Sequence, residues 1–139
     1  MMPNPQQALL TFRLGSQFYA LPISAVLEVA AMVEVITLAG AAPEFLGIFN
    51  RHGEPLPMLD LRIAFGLPAA PPTLTTLFIV VQVNEQPFGL LVDDVLQVAY
   101  GVVQSSTLPG YLMGTVSQPD HLLQVIALPA LIAAFLPVQ

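Results

Sequence analysis

Repetition constrains this chain more than any other feature. Shifted by 69 residues, Leu9 to Val29 lies on Phe78 to Val98 without a gap, so that Gln17 falls on Gln86, Leu21 on Leu90 and Val26-Leu27-x-Val29 on Val95-Leu96-x-Val98. A shift of 67 then sets Gly47-Ile48-Phe49 on Gly114-Thr115-Val116, the turn at 50–53 on the turn at 117–120, and Leu56 to Leu61 on Leu123 to Leu128. Alternation of apolar and polar residues makes strands match one another, but it does not make turns match as well. Each half therefore reads as hairpin, connector, strand, tight turn, strand and short helix, and two similar small antiparallel barrels follow. A half of about 65 residues is marginal alone, which predicts that the two pack on a shared interface.

Local patterns fill in this frame. Leu10 to Leu14 alternates, Gly15-Ser16-Gln17 turns, and Phe18 to Leu21 returns as the second arm of a hairpin. Val33 to Leu38 and Leu46 to Phe49 are further strand candidates. Glu54 to Asp60 reads as a strand in which Pro55 and Pro57 lack backbone donors, which predicts an edge or bulged position. Leu61 to Phe65 reads as one helical turn stopped by Gly66, and Leu67-Pro68-Ala69-Ala70-Pro71-Pro72 as the linker between the halves.

Composition narrows the partners. The 139 residues contain no cysteine, which removes disulfides, thiolate metal sites and cysteine nucleophiles. Hydrophobic residues make up 55 %, yet Glu28 and Glu34 interrupt one long apolar stretch and Asp93 and Asp94 another, leaving no run of the roughly 18 to 20 residues a spanning helix needs. Met1 to Gln7 carries no basic residue and no apolar signal core, so a cytoplasmic, unexported protein without direct membrane insertion is expected. Three arginines, no lysine and a net charge of −6 leave no basic face for nucleic acid or an anionic membrane. With 9 % charged residues, much of the surface is apolar or neutral, which fits either a protein-interaction domain or a self-associating one.

Catalysis finds no constellation here. His52 and His121 show no metal-ligand spacing, and the adjacent Asp93 and Asp94 point to opposite faces of a strand, where they cannot share a proton. One of that pair reads as a cap on a turn amide. Absence of lysine removes Schiff-base chemistry, and no nucleophile elbow, phosphate loop or dinucleotide fingerprint is present. A non-enzymatic protein with no catalytic residue, cofactor or metal is the expectation. The scarce charges gather instead around Glu28, whose repeat counterpart is Gln97, and in Asn50-Arg51-His52-Gly53-Glu54 and Asp60-Leu61-Arg62.

These residues carry a resemblance. Phe12-x-Leu14-Gly15-x-x-x-Tyr19-Ala20-Leu21-Pro22-Ile23-x-x-Val26-x-Glu28-Val29 resembles the opening of CheW-like domains, the chemotaxis coupling proteins and the matching regulatory domain of the kinase CheA. Gly47-x-x-Asn50-Arg51-His52-Gly53-x-x-x-Pro57-x-x-Asp60-Leu61-Arg62 is similar to the family's Gly-x-x-Asn-Leu-Arg-Gly-x-x-x-Pro-x-x-Asp-Leu-Arg, and Gly89-Leu90-Leu91-Val92-Asp93-x-Val95 to its second-half motif. The resemblance runs from Leu9 to Phe135. It implies an all-β fold of two pseudo-repeated five-stranded antiparallel β-barrels packed together, with short helical turns. The single domain then covers about 8–137, divided into a subdomain at 8–67, a linker at 68–73 and a subdomain at 74–137.

In function, the resemblance implies an adaptor between the cytoplasmic tip of chemoreceptors and the regulatory domain of a CheA-type histidine kinase. The partner-binding residues it implies are Glu28, Asn50, Arg51, His52, Gly53, Asp60, Arg62 and Asp93. Two departures stand out. Arg51-His52 replaces Leu-Arg, so the arginine has moved by one position, and the second half ends in Ala127-Leu128-Pro129 where members often have Asp-Leu and a charged neighbour. Two expectations follow: Glu28 pairs with Arg51 or faces a partner, and His52 makes its contact conditional on protonation. A scaffold of a twitching-motility or other chemosensory-like pathway, or a homo-oligomeric or ligand-binding double barrel, stays open as an alternative.

Overall fold

The computed structural model of the chain describes residues 6–105 and 111–135. Residues 1–5 and the expected domain end at 136–137 lie outside the described residues. In chain order the strands are β1 (Gln7–Leu14), β2 (Gln17–Pro22), β3 (Val26–Ala31), β4 (Val35–Ile36), β5 (Phe45–Arg51) and β6 (Glu54–Asp60), followed by the short helix α1 (Leu61–Ala64). After the linker come β7 (Leu77–Val83), β8 (Gln86–Leu91), β9 (Asp94–Gly101), β10 (Gln104–Ser105), β11 (Leu112–Ser117), β12 (Leu122–Ile126) and the helix α2 (Leu128–Phe135). A single 3-10 turn at Ile23–Ala25 joins β2 to β3.

The strands form two six-stranded sheets, ordered β10-β11-β12-β2-β1-β9 and β3-β7-β8-β6-β5-β4. Read in opposite directions, these orders are the same list under the repeat: β10 answers β4, β11 answers β5, β12 answers β6, β2 answers β8, β1 answers β7 and β9 answers β3. The duplication is therefore structural. Each sheet, however, draws strands from both halves of the sequence. The hairpin of each half joins the remaining strands of the other: β1 pairs antiparallel with β9, and β3 with β7. Two parallel junctions complete the exchange, β12 with β2 and β6 with β8, so the sheets are not purely antiparallel. The sixth strand in each is the two-residue β4 or β10: β4 is a short core of the strand candidate Val33 to Leu38, whereas β10 is too short to be legible from periodicity.

Proline placement follows the pairing. β6 is an interior strand in the sheet order, not the edge that Pro55 and Pro57 suggested. Its parallel partner β8 meets only Met58 to Asp60, so over Glu54 to Pro57 the strand has β5 alone for a neighbour and the missing donors break no second ladder. Glycine placement is equally specific. Gly47 and Gly114 sit at matching irregularities of the β5–β6 and β11–β12 ladders, where a Cβ would overlap the backbone carbonyl of Ile36 or Gln104.

Burial explains why several strands read as continuous apolar runs. In β7, Ile79 and Val81 face the core shared by both sheets, which also holds Phe12, Leu21, Leu59, Phe88, Leu90 and Leu128. Phe78 and Val80 face a second core under their own sheet, with Phe49, Leu56 and Met58. Leu9, Ala20, Val116, Leu123 and Val125 form its counterpart under the other sheet. A strand buried on both faces loses the alternation that marks a half-exposed one. Within the described residues, no helix is long and apolar enough to cross a membrane.

Candidate functional site

The turn between β5 and β6 is built from two residues in the left-handed region, His52 at φ 52° and Gly53 at φ 85°. Consecutive positive φ values define the type I′ hairpin turn, whose twist matches that of the flanking strands. Asn50 tightens it, its side-chain oxygen accepting a hydrogen bond from the Gly53 N–H at 2.9 Å. This geometry throws the His52 side chain outward, 76 % exposed. Arg51 turns back instead, and its Nε donates to Glu28 Oε1 at 2.5 Å. His52 Nε2 lies 3.8 Å from the same oxygen. Of the two expectations for Glu28, pairing with Arg51 or facing a partner, the structure shows the pairing. It also joins β3, at one end of the sheet order, to β5 near the other, so the sheet curls upon itself.

Exposed apolar residues lie on the strands β3 and β9. Leu27 and Val29 flank Glu28 on β3 and are exposed, as are their counterparts Leu96 and Val98 and the neighbouring Tyr100 on β9. Both strands are sheet edges. The sequence reading did not single these residues out, although the low charge content required an exposed apolar surface somewhere.

Asp60, Arg62 and Asp93 form a second group, most of it away from the surface. Asp60 and Arg62 are only 2 % and 4 % exposed. Asp60 caps α1, accepting from the Arg62 backbone N–H at 3.0 Å, and also receives Arg62 Nε and Nη2, each at 3.1 Å. Arg62 Nη1 reaches Asp93 Oδ1 at 3.3 Å, while Nη2 holds the linker carbonyl of Ala70 at 3.0 Å. Asp93 in turn accepts from the Gly15 N–H at 2.7 Å, the turn cap anticipated for one of the paired aspartates. The hydrogen bonds that Arg62 donates to Asp60, opposed by burial and reinforced by Asp93, hold its guanidinium above its ordinary pKa. Both its folded and unfolded values lie above any working pH, so the charge is permanent and the contribution does not titrate away. These three residues form a clasp between the sheets: α1 follows one of them, and Gly15 belongs to the hairpin of the other. Buried, Asp60 and Arg62 present a partner with almost no surface.

The remaining titratable groups stay apart. His121 bonds Asp120 at 2.8 Å and packs against the Phe18 ring, away from His52. No three His, Asp or Glu side chains converge as a metal site among the described residues.

Exchange of hairpins between two duplicated sheets, with one carboxylate–arginine group locked between them, narrows the class to internally duplicated β folds. The chain belongs to the CheW-like domain family, whose model matches residues 8–135. It is 35 % identical over 94 residues to the chemotaxis protein CheW of Rhizobium meliloti, covering 68 % of this chain and 61 % of that protein. With the CheW of Helicobacter pylori the identity is 33 % over 82 residues, 59 % of this chain and 50 % of the relative. The matched region spans about half to two thirds of the length of these curated relatives. In structure, the scaffolding protein TtCheW from Thermoanaerobacter tengcongensis matches with a TM-score of 0.80 over 88 % of each chain, at 24 % identity.

Proposed function

We propose that the chain is a non-enzymatic adaptor acting in the cytoplasm, coupling the tips of chemoreceptors to the regulatory domain of a CheA-type histidine kinase. The observation that carries this reading is the family match across 8–135, which takes in both sheets and the clasp between them. The part-exposed pair of Glu28 and Arg51 and the exposed His52, with Asn50 and Gly53 shaping their turn, support a contact role, since they gather three of the chain's few ionisable side chains at the surface. Helix-in-groove docking of an amphipathic hairpin suits such a surface. Signalling then needs no chemistry in this chain. It needs only contacts that differ between two receptor states, because a scaffold shifts an equilibrium by its differential affinity for them. Asp60 and Arg62 serve by fixing the sheets, and Asp93, part-exposed at the clasp, by holding the hairpin turn.

The test is binding of the purified chain to an isolated kinase regulatory domain and to a receptor tip fragment. Saturable binding to both is expected. Binding to neither overturns the reading, and binding to a kinase domain from another chemosensory-like pathway alone reassigns it. Apolar contact makes the kinase affinity nearly constant from low salt to about 0.5 M, where exposed ion pairs are screened.

A further inference from the structure

The repeat that relates the sheets also relates two junctions between them, and these are built from opposite chemistry. At one, Asp60, Arg62 and Asp93 fill the space with the buried clasp. At the other, the repeat sets Ala127 where Asp60 stands, Pro129 where Arg62 stands and Ser24 where Asp93 stands. All three charged side chains are gone, and the junction holds an open cavity of about 520 Å³. Among the described residues Pro22, Val83, Met113, Ile126 and Leu128 give it apolar walls, Ser24 and Gln82 line it with polar side chains, and none of the lining is charged.

The recess is open to solvent, and its walls come from both sheets. In the clasped junction the guanidinium of Arg62 fills the equivalent place from within the chain, bonded to Asp60, Asp93 and the Ala70 carbonyl. Pro129 starts from the equivalent position of α2, but its ring cannot extend into the recess as an arginine does. An ionic occupant would lose hydration with no counter-charge to meet it. A hydrocarbon occupant gains about 25 cal/mol for each Å² of apolar surface removed from water, and the volume lies in the range of small-molecule sites.

We propose that this cavity binds a small, uncharged, mainly hydrocarbon molecule, with Ser24 or Gln82 supplying a hydrogen bond at its mouth. The site is independent of the adaptor reading and shares no lining residue with the Glu28 group. The test is titration of the chain with the neutral fluorophore N-phenyl-1-naphthylamine. One saturable site per chain is expected. Grafting the clasp by Ser24→Asp, Ala127→Asp and Pro129→Arg together weakens probe binding by about tenfold or more. Should the graft fail to melt cooperatively, the single change Ala127→Leu fills the same space and gives the same loss. Non-saturable binding, or saturable binding unchanged in a folded Ala127→Leu variant, overturns the proposal. Displacement of the probe by the kinase domain or the receptor fragment also overturns it, because the cavity would then be a protein-docking surface.

Discussion

Two carboxylate–arginine groups in this molecule share a composition and differ in everything that decides their worth. In the clasp, Arg62 and Asp60 have side-chain exposures of 5 % and 3 %, and the guanidinium divides its donors among two carboxylates and a carbonyl. In the edge group, Arg51 and Glu28 are 26 % and 35 % exposed and share one bond. A buried pair costs much to break because removing one partner strands the other charge away from water. An exposed pair is screened and contributes about 0 to 1 kcal/mol. The same chemistry thus serves as architecture at one place and as available surface at the other.

The comparison is broken most readily at Arg62. Arg62→Ala leaves Asp60 buried without its counter-charge and is expected to cost about 3–5 kcal/mol, read from chemical denaturation. A loss under about 1 kcal/mol would show that water reaches the clasp and that the contrast is false. At the part-exposed arm, Asp93→Ala removes an acceptor from both Arg62 and the Gly15 amide. The expected cost is intermediate, about 1–2 kcal/mol by the same measurement, and a cost equal to that of Arg62→Ala would make Asp93 a full member of the buried pair. Glu28→Gln, which copies its counterpart Gln97, is expected to change stability by less than about 1 kcal/mol while weakening binding of the receptor fragment. Unfolding on that change would make the edge group architectural too. The smallest effect belongs to His52→Asn. Asparagine tolerates the left-handed region better, and Asn-Gly is the preferred type I′ pair, so a gain of about 0.5 kcal/mol in the melting analysis is expected. A loss of stability would mean that the imidazole near Glu28 contributes more than its backbone strain costs.

Much of this was legible before any coordinates. The repeat could be read because turns as well as strands recur, and the Glu28–Arg51 pair because charges are too few to cluster by accident. The exchange of hairpins could not be read. Alternation states that a strand has a buried face, but β1 would show the same pattern whether its second neighbour were β3 or β9. Pro55 and Pro57 correctly reported a strand lacking one partner, yet the partner is lacking over only half of β6. The clasp was hidden for a related reason. Asp93 reads as a turn cap, which it is, while Arg62 lies 31 positions away and meets it only because α1 and the start of β9 converge. Asp60 and Arg62 belong to the family motif, and a motif does not say whether its residues face a partner or the interior.

The exchange of hairpins has a consequence for the order in which the chain can mature. Ladder pairs such as Gln7 with Gly101 and Arg13 with Asp94 join the first strand to one made far later. At roughly 5–20 residues per second, the β1–β2 hairpin waits several seconds during synthesis with its apolar faces uncovered before β9 is available to pair with it. Neither half finishes its own sheet, so translation of the first cannot yield a folded unit that the second merely joins. A nascent chain of this kind depends on the speed of its own elongation, and on chaperones that shield the early hairpin, in a way that two tandem barrels would not.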